Sequence, residues 1–74
     1  MVYPITINSV EDVLKLNKVA SKEDFTISVG SGLDVVNAKS LLALFTMIGR
    51  KCNLIAPDST NPASFAKAIK KIGV

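Results

Sequence analysis

The chain has 74 residues and a net charge of +3; 49% of its residues are hydrophobic and 20% are charged. This size and composition predict one small globular domain over residues 1–74 and exclude a disordered polypeptide. The chain contains no histidine, which excludes histidine-based catalytic triads and the common zinc sites, so we expect no catalytic residues, no metal and no cofactor.

The cellular compartment is predicted from hydropathy and from the cysteine count. No apolar run approaches the roughly 18 residues that cross a bilayer, and the first residues lack the basic and then apolar pattern of a signal peptide. The single cysteine, Cys52, cannot form an internal disulfide. We interpret it as a small buried apolar residue, because no histidine is present to activate it as a nucleophile. A lone thiol fits a reducing compartment, and a cytoplasmic protein is expected.

The first elements in chain order are a strand and a helix. Residues 3–8 are rich in β-favouring side chains and predict a strand. Ser9 is followed three residues later by Asp12, which resembles a capping box at a helix start. A helix over about residues 10–20 is therefore predicted. Its expected apolar stripe contains Val10, Val13, Leu14, Leu16 and Ala20.

A β-hairpin is predicted next. Residues 25–29 alternate strictly between apolar and polar side chains, which is typical of a strand with one exposed face. Residues 30–32, Gly-Ser-Gly, predict a turn with positive φ. Residues 33–36 then form the predicted returning strand.

The following segment predicts a second helix and a short strand. Asn37 is a strong N-cap residue, and the apolar run after it predicts a helix over residues 38–48 that ends at Gly49. Residues 52–56 predict a strand that ends before a proline.

The last helix completes the fold prediction. Asn61 as the cap and Pro62 at the first helical position predict its start, and Gly73 predicts its end. The order β-α-β-β-α-β-α indicates an α+β fold, an open-faced sandwich in which helices cover one face of an antiparallel sheet. A ferredoxin-like βαββαβ sheet with an added C-terminal helix is the alternative, because local signals do not determine strand order.

Ser40 is the first candidate functional residue. Counting from Asn37 as the cap, Ser40 falls at the third helical position, where free backbone amides and the helix dipole favour an anion. Asn37 and Lys39 are therefore predicted to form an anion-binding helix start that would tolerate a phosphate on Ser40. The alternative is that Ser40 is only a common first-turn serine.

Residues 36–47, VNAKSLLALFTM, resemble the regulatory-serine helix of the HPr family, the small phosphocarriers of the bacterial sugar phosphotransferase system. The family reads similarly through an Asn-x-Lys-Ser core followed by aliphatic residues. The resemblance implies the same open-faced sandwich and phosphorylation of Ser40 by an HPr-type kinase. It also implies a partner-binding surface formed by Leu41, Leu42 and Phe45.

The resemblance does not extend to phosphoryl transfer. In the family, the phosphorylated histidine follows the first strand in a Gly-x-His-Ala-Arg-Pro stretch, whereas residues 8–12 of this chain read Asn-Ser-Val-Glu-Asp. The histidine and the arginine are both replaced. Glu11 and Asp12 would also repel an incoming phosphoryl group, so we expect no phosphocarrier activity.

An exposed apolar patch is predicted on the second helix, because only Lys39, Ser40 and Thr46 of residues 38–48 are not apolar. The family resemblance exposes Leu41, Leu42 and Phe45 and places Leu44, Met47 and Ile48 in the core. A helical wheel alone instead buries Leu41, Leu44, Phe45 and Ile48 and exposes Ala43 and Met47. Self-association is an alternative use of the patch.

The charge is distributed unevenly along the chain. Residues 1–38 carry three lysines and five acidic residues, whereas residues 39–74 carry six basic residues and one acidic residue. Lysines on the outer face of the last helix are explained by solvation. Nucleic-acid binding is not favoured as a function, because the chain has one arginine, few aromatic residues and no groove-reading motif.

These observations predict a regulatory protein-binding module related to HPr. Its expected partner is a phosphotransferase-system or other regulatory protein. The alternative is a structural or oligomerising domain, for example a homodimer, in which Ser40 has no phosphate-dependent role.

Overall fold

A computed structural model describes residues 1–73. Their element order is the predicted β-α-β-β-α-β-α. The elements are β1 Val2–Thr6, α1 Val10–Lys22, β2 Ser28–Ser31, β3 Asp34–Asn37, α2 Leu41–Phe45, β4 Lys51–Ile55 and α3 Pro62–Ile72. Among these helices, none combines the length and apolar character needed to cross a membrane.

The four strands form one sheet in the order β1-β4-β2-β3, and every neighbouring pair is antiparallel. The ferredoxin-like alternative would place β1 inside the sheet between β3 and β4, whereas here β1 is an edge strand that pairs only with β4, so that strand order is excluded. β4 is central, and its Leu54 lies opposite Tyr3 of β1 and Val29 of β2. The predicted open-faced α+β sandwich is confirmed.

The core lies between the sheet and the helices. The sheet contributes alternate residues such as Val29 and Leu54, while Lys51 and Asn53 of β4 point to the opposite, exposed face. α1 contacts both α2 and α3, so it occupies the middle of the helical layer. The fully buried side chains with the largest volumes are Ile7, Leu16, Ile27, Leu44, Met47, Leu54, Ile72, Val13 and Val29.

The predicted cap of α1 is confirmed. Ser9 Oγ accepts a hydrogen bond from Asp12 N at 3.3 Å, and Asp12 Oδ2 accepts one from Asn8 N at 2.9 Å. The two side chains therefore satisfy backbone amides on both sides of the helix start; Asp12 binds Asn8 N, one residue before the Ser9 amide that the capping box uses. The helix continues to Lys22, two residues beyond its predicted end.

The predicted caps of α3 are confirmed as well. Asn61 Oδ1 accepts a hydrogen bond from Ala63 N at 2.8 Å, and Pro62 occupies the first turn, where its missing N–H costs nothing. Gly73 ends the helix with φ of 67°, in the left-handed region that favours glycine.

The hairpin turn differs from the prediction. The turn residues are Gly32 and Leu33, not residues 30–32, and the strands begin at Ser28 and Asp34. Gly32 has a φ of +61° and Leu33 does not have positive φ, which is the pattern of a type II′ turn. Leu33 therefore lies at the fully exposed tip of the hairpin rather than in a strand.

Gly30 lies within β2, where it pairs with Val35 and Asn53, and the side chain of Ile55 occupies the space above it. A Cβ at Gly30 would lie only 3.1 Å from Ile55 Cδ1. The glycine thus allows close packing across neighbouring strands rather than a turn.

The helix predicted over residues 38–48 is shorter because other hydrogen bonds hold the chain before it. Asn37 is the last residue of β3; its Oδ1 accepts from Lys39 N and its carbonyl accepts from Ser40 N, both at 2.9 Å. These bonds close a turn, and Ser40 becomes the N-cap of α2. The predictions that Asn37 caps the helix and that Ser40 is its third residue are therefore wrong.

α2 ends at Phe45 because the chain tightens into three-residue turns. Thr46 N donates to Ala43 O at 3.1 Å, and Met47 N donates to Leu44 O at 3.0 Å. Residues three apart lie above one another in such 3₁₀ turns, and Leu44 and Met47 are both fully buried. A wheel drawn at 3.6 residues per turn wrongly exposes Met47.

We predict that Met47→Ala lowers the free energy of unfolding by about 2–5 kcal/mol, because it empties a fully buried position. Leu42→Ala is the control, since Leu42 is 81% exposed and its truncation should change stability by less than about 0.5 kcal/mol. Urea denaturation measures both values. Equal losses for the two variants would contradict this placement of the helix.

Candidate functional site

Three apolar side chains of α2 are exposed to solvent. Leu41 is 37% exposed, Leu42 81% and Phe45 37%, whereas Leu44 between them is fully buried. The exposure implied by the family resemblance is confirmed, and the wheel is wrong in burying Leu41 and Phe45. A run of large apolar side chains on a short surface helix is more typical of an interface than of a solvated face.

The segment that carries α2 is held at both ends, by α1 and by the residues just before α1. Asn17 Nδ2 donates to the carbonyls of Ala38 and Lys39, each at 3.1 Å, and Gly49 N donates to the carbonyl of Ile7 at 2.6 Å. The chain therefore enters α2 beside Asn17 and leaves it beside the start of α1. Consequently α2 runs antiparallel to the first half of α1.

Val10 and Leu14 enlarge the exposed apolar area. They are 51% and 49% exposed, and they precede Asn17 by seven and three residues, which places all three on the same side of α1. Because this side of α1 adjoins α2, we group the five exposed side chains under one name, the apolar surface. It consists of Val10, Leu14, Leu41, Leu42 and Phe45.

The prediction that Val10 and Leu14 belong to the core stripe of α1 is wrong. The buried residues of α1 are Val13, Leu16 and Ala20. The sequence does contain a signal that distinguishes the buried residues from the exposed ones. The polar Asn17 lies on the same side of α1 as Val10 and Leu14, which indicates that this side is not part of the core.

Ser40 lies immediately before the apolar surface. It is exposed, and within the described residues its hydroxyl makes no capping hydrogen bond. The adjacent Lys39 is exposed as well. The hydroxyl is therefore accessible to a modifying enzyme, with a cation next to it in the chain.

Asn37 and Lys39 precede the helix rather than form its start, because α2 begins at Leu41 with Ser40 as its N-cap. Asn37 Oδ1 is engaged by Lys39 N, so that amide points into the turn rather than toward a ligand. α2 also has only five residues, which leaves few aligned peptide dipoles to attract an anion. Ser40 remains a candidate modification site because of its exposure, not because of a helix dipole.

The start of α1 carries negative charge. Asp12 is held by Asn8 N, and Glu11 beside it is exposed. Asn8 and Asp12 also line an open cleft of about 670 Å³ that reaches Cys52.

Cys52 is buried, as predicted. Its Sγ donates to the carbonyl of Arg50 at 3.4 Å. Burial raises the pKa of the Cys52 thiol, an effect opposed in part by the charge of Arg50 and a hydrogen bond involving Ser31. The thiol is therefore protonated near neutral pH and is a weak nucleophile.

The side chain of Arg50, the chain's one arginine, is hydrogen-bonded to the hairpin. Its Nη2 donates to Asp34 Oδ2 at 3.0 Å and to the carbonyl of Ser31 at 3.1 Å. The guanidinium thus fastens the hairpin to the turn after α2, which reduces its availability for base recognition in nucleic acid.

Several solved structures resemble this arrangement, including two HPr-type proteins. The HPr-C-His protein of Thermoanaerobacter tengcongensis superposes with a TM-score of 0.75 at 20% identity, covering 100% of this chain and 97% of that one. The histidine-containing phosphocarrier protein of Mycoplasma superposes with a TM-score of 0.70 at 22% identity, covering 99% of this chain and 88% of that one. This chain has the HPr fold. No family model and no curated protein matches its sequence, so the likeness is one of fold.

The residues at which this sequence departs from the HPr resemblance can be located on the fold. In this chain, the segment between the first strand and α1 contains Asn8 and two carboxylates follow it, while no histidine occurs anywhere in the sequence. The exposed apolar residues and Ser40 lie on the neighbouring α2 segment. This surface is the strongest functional candidate of the described residues.

We predict that Cys52 in the folded protein is alkylated by iodoacetamide more slowly than a free cysteine at neutral pH. The rate should rise with a midpoint above the ordinary thiol pKa of 9.0, because only the thiolate reacts. Mass spectrometry over a pH series measures the alkylation rate, with urea-unfolded protein as the control. Equal rates in folded and unfolded protein would contradict a shielded thiol.

Proposed function

We propose that this chain is an HPr-fold protein-binding module of the phosphotransferase-system type that works without carrying phosphate on a histidine. The apolar surface is the observation that carries this proposal. Its five side chains are between 37% and 81% exposed on a domain of only 74 residues. Covering them with a partner would remove apolar area from water, which is the main favourable term in protein association.

The chemistry near α1 supports binding rather than phosphoryl transfer. Without histidine, no phosphohistidine can form. Glu11 and Asp12 place two carboxylates in the first turn of α1, where they would repel a phosphoryl donor. The protonated thiol of Cys52 does not replace the missing nucleophile.

Phosphorylation of Ser40 is the proposed regulation of this surface. Ser40 is exposed and directly precedes Leu41 and Leu42. A phosphate would add a charge of about −1.5 to −2 beside leucine side chains that a partner must desolvate. Docking of a partner at the apolar surface would therefore depend on the modification state of Ser40.

The proposed partners are phosphotransferase-system or regulatory proteins, including an HPr-type kinase. The fold supports this choice, since a partner shaped to dock on an HPr-fold protein would meet the same backbone framework here. We propose a role in sugar transport regulation on the same basis.

We predict that an HPr-type kinase with ATP adds one phosphate to the folded chain, at Ser40. Intact-mass and fragment-mass measurement locate the group. Ser40→Ala should abolish the addition, while Ser59→Ala, which removes another exposed serine, should not. An unchanged mass, or phosphate on another residue, would rule out the proposed regulation.

We predict that Leu42→Glu weakens binding to the HPr-type kinase by about tenfold or more. Burying a leucine side chain contributes about 1.5–3 kcal/mol, and about 1.4 kcal/mol corresponds to a tenfold change in affinity. Leu33→Glu is the matched control, because Leu33 is fully exposed at the hairpin tip and outside the apolar surface. Calorimetric titration measures both; similar losses in the two variants would refute docking at the apolar surface.

The oligomerising alternative uses the same surface and is tested with the same variants. If the apolar surface mediates a homodimer, sedimentation will show a dimer for the unmodified chain and for Leu33→Glu, but a monomer for Leu42→Glu. A monomer in every case removes this alternative.

A further inference from the structure

A second surface lies on the other side of α1, where this helix meets α3. The two helices are in contact, and a groove of about 390 Å³ runs along their junction. We call it the lysine groove. Its lining residues are Lys15, Lys18, Val19, Lys22, Glu23 and Lys71.

The spacing along α1 explains why these side chains gather. Lys15, Lys18 and Lys22 are at positions i, i+3 and i+7, so they lie along one face of the helix. Val19, at i+4 from Lys15, is half-buried and packs against the core. The groove therefore has an apolar floor with ammonium groups around it.

The charge of the groove is not neutralised by the protein's own ion pairs. Four lysines face one carboxylate, that of Glu23. Within residues 1–73, the salt bridges join the N-terminus to Asp58 and Arg50 to Asp34, and neither involves a groove lysine. Like charges so close together repel one another, and an anionic ligand would relieve that repulsion.

We propose that the lysine groove binds an acidic, amphipathic peptide segment of a partner protein. Carboxylates of the segment would pair with the lysine ammonium groups, and an apolar side chain would lie on Val19 and on the methylene stems of the lysines. Both halves of the groove, charged rim and apolar floor, are then used by one ligand.

The composition of the groove favours a peptide over nucleic acid. The groove has no aromatic residue on which a base could stack and no arginine fork to read base edges. It also favours a peptide over a lipid surface, because its apolar residue is a recessed floor. Membrane-binding basic surfaces instead use protruding apolar side chains that insert among lipids.

The lysine groove and the apolar surface are centred on different sides of α1 and meet where Lys18 follows Leu14 by four residues. Val19 and Asn17 differ by two positions and so point to nearly opposite sides of α1, one toward α3 and the other toward the chain before α2. Binding at the lysine groove and docking at the apolar surface can therefore succeed or fail separately.

The experiment titrates the folded chain with a short fluorescent peptide of alternating glutamate and leucine, and follows fluorescence anisotropy at low and at high salt. We expect saturable binding at low salt that weakens as salt screens the charges. Amide chemical shifts in ¹⁵N-labelled protein should change most along residues 15–23 and around Lys71.

Two sets of variants make the test specific. The combined change Lys15→Gln, Lys18→Gln and Lys22→Gln should lower affinity by about tenfold or more, as expected when several charge pairs are lost. Lys39→Gln with Lys51→Gln is the control, because these exposed lysines are outside the groove. Far-ultraviolet circular dichroism establishes that every variant is folded.

Some results overturn the proposal. These are no peptide binding at low salt, unchanged affinity in the groove variant, or shift changes centred on the apolar surface. Tighter binding of a single-stranded oligonucleotide or of phosphatidylserine vesicles than of the peptide, at the same salt, would also overturn it. Leu42→Glu should leave peptide binding unchanged, which separates this result from that of the proposed function.

Discussion

A short helix attached at both ends is the constraint on which the functional surface depends. The side-chain amide of Asn17 binds the two carbonyls that precede α2, and the amide of Gly49 binds the carbonyl of Ile7 after it. These contacts set the position of a five-residue helix that could not be stable alone. With its ends held in this way, α2 presents Leu44 to the core and Leu42 to solvent.

The position of α2 also determines which side chains of α1 remain exposed. α1 lies between α2 and α3, and each of its sides has a different composition. Toward α2 it carries exposed apolar residues, and toward α3 it carries lysines around a single valine. Only the stripe of Val13, Leu16 and Ala20 is needed for the core, which leaves the remaining sides free to serve as surfaces.

This chain forms the HPr fold from a sequence that contains no histidine, so a phosphohistidine cannot form on it. The sandwich needs only the sheet, the helical layer and the caps that end the helices, and all of these are formed without a histidine. The start of α1 illustrates the point, since Asp12 satisfies the backbone amide of Asn8.

The sequence by itself determined the number and order of the elements, because periodicity and cap residues are local signals. Ser9, Asn61 and Gly73 marked helix ends correctly, and the lack of histidine excluded a phosphohistidine on composition alone. The family resemblance also identified Leu41, Leu42 and Phe45 as exposed, where the helical wheel failed.

Tertiary contacts decided the rest. The place of Gly30 in a strand depends on its pairing with Asn53 of β4, and the chain before α2 is held by Asn17 of α1. The exposure of Val10 and Leu14 depends on where α2 lies against α1, and the lysine groove exists only because α3 returns beside that helix. These features depend on residues that are distant in the chain, so the local helix and strand propensities of the sequence do not indicate them.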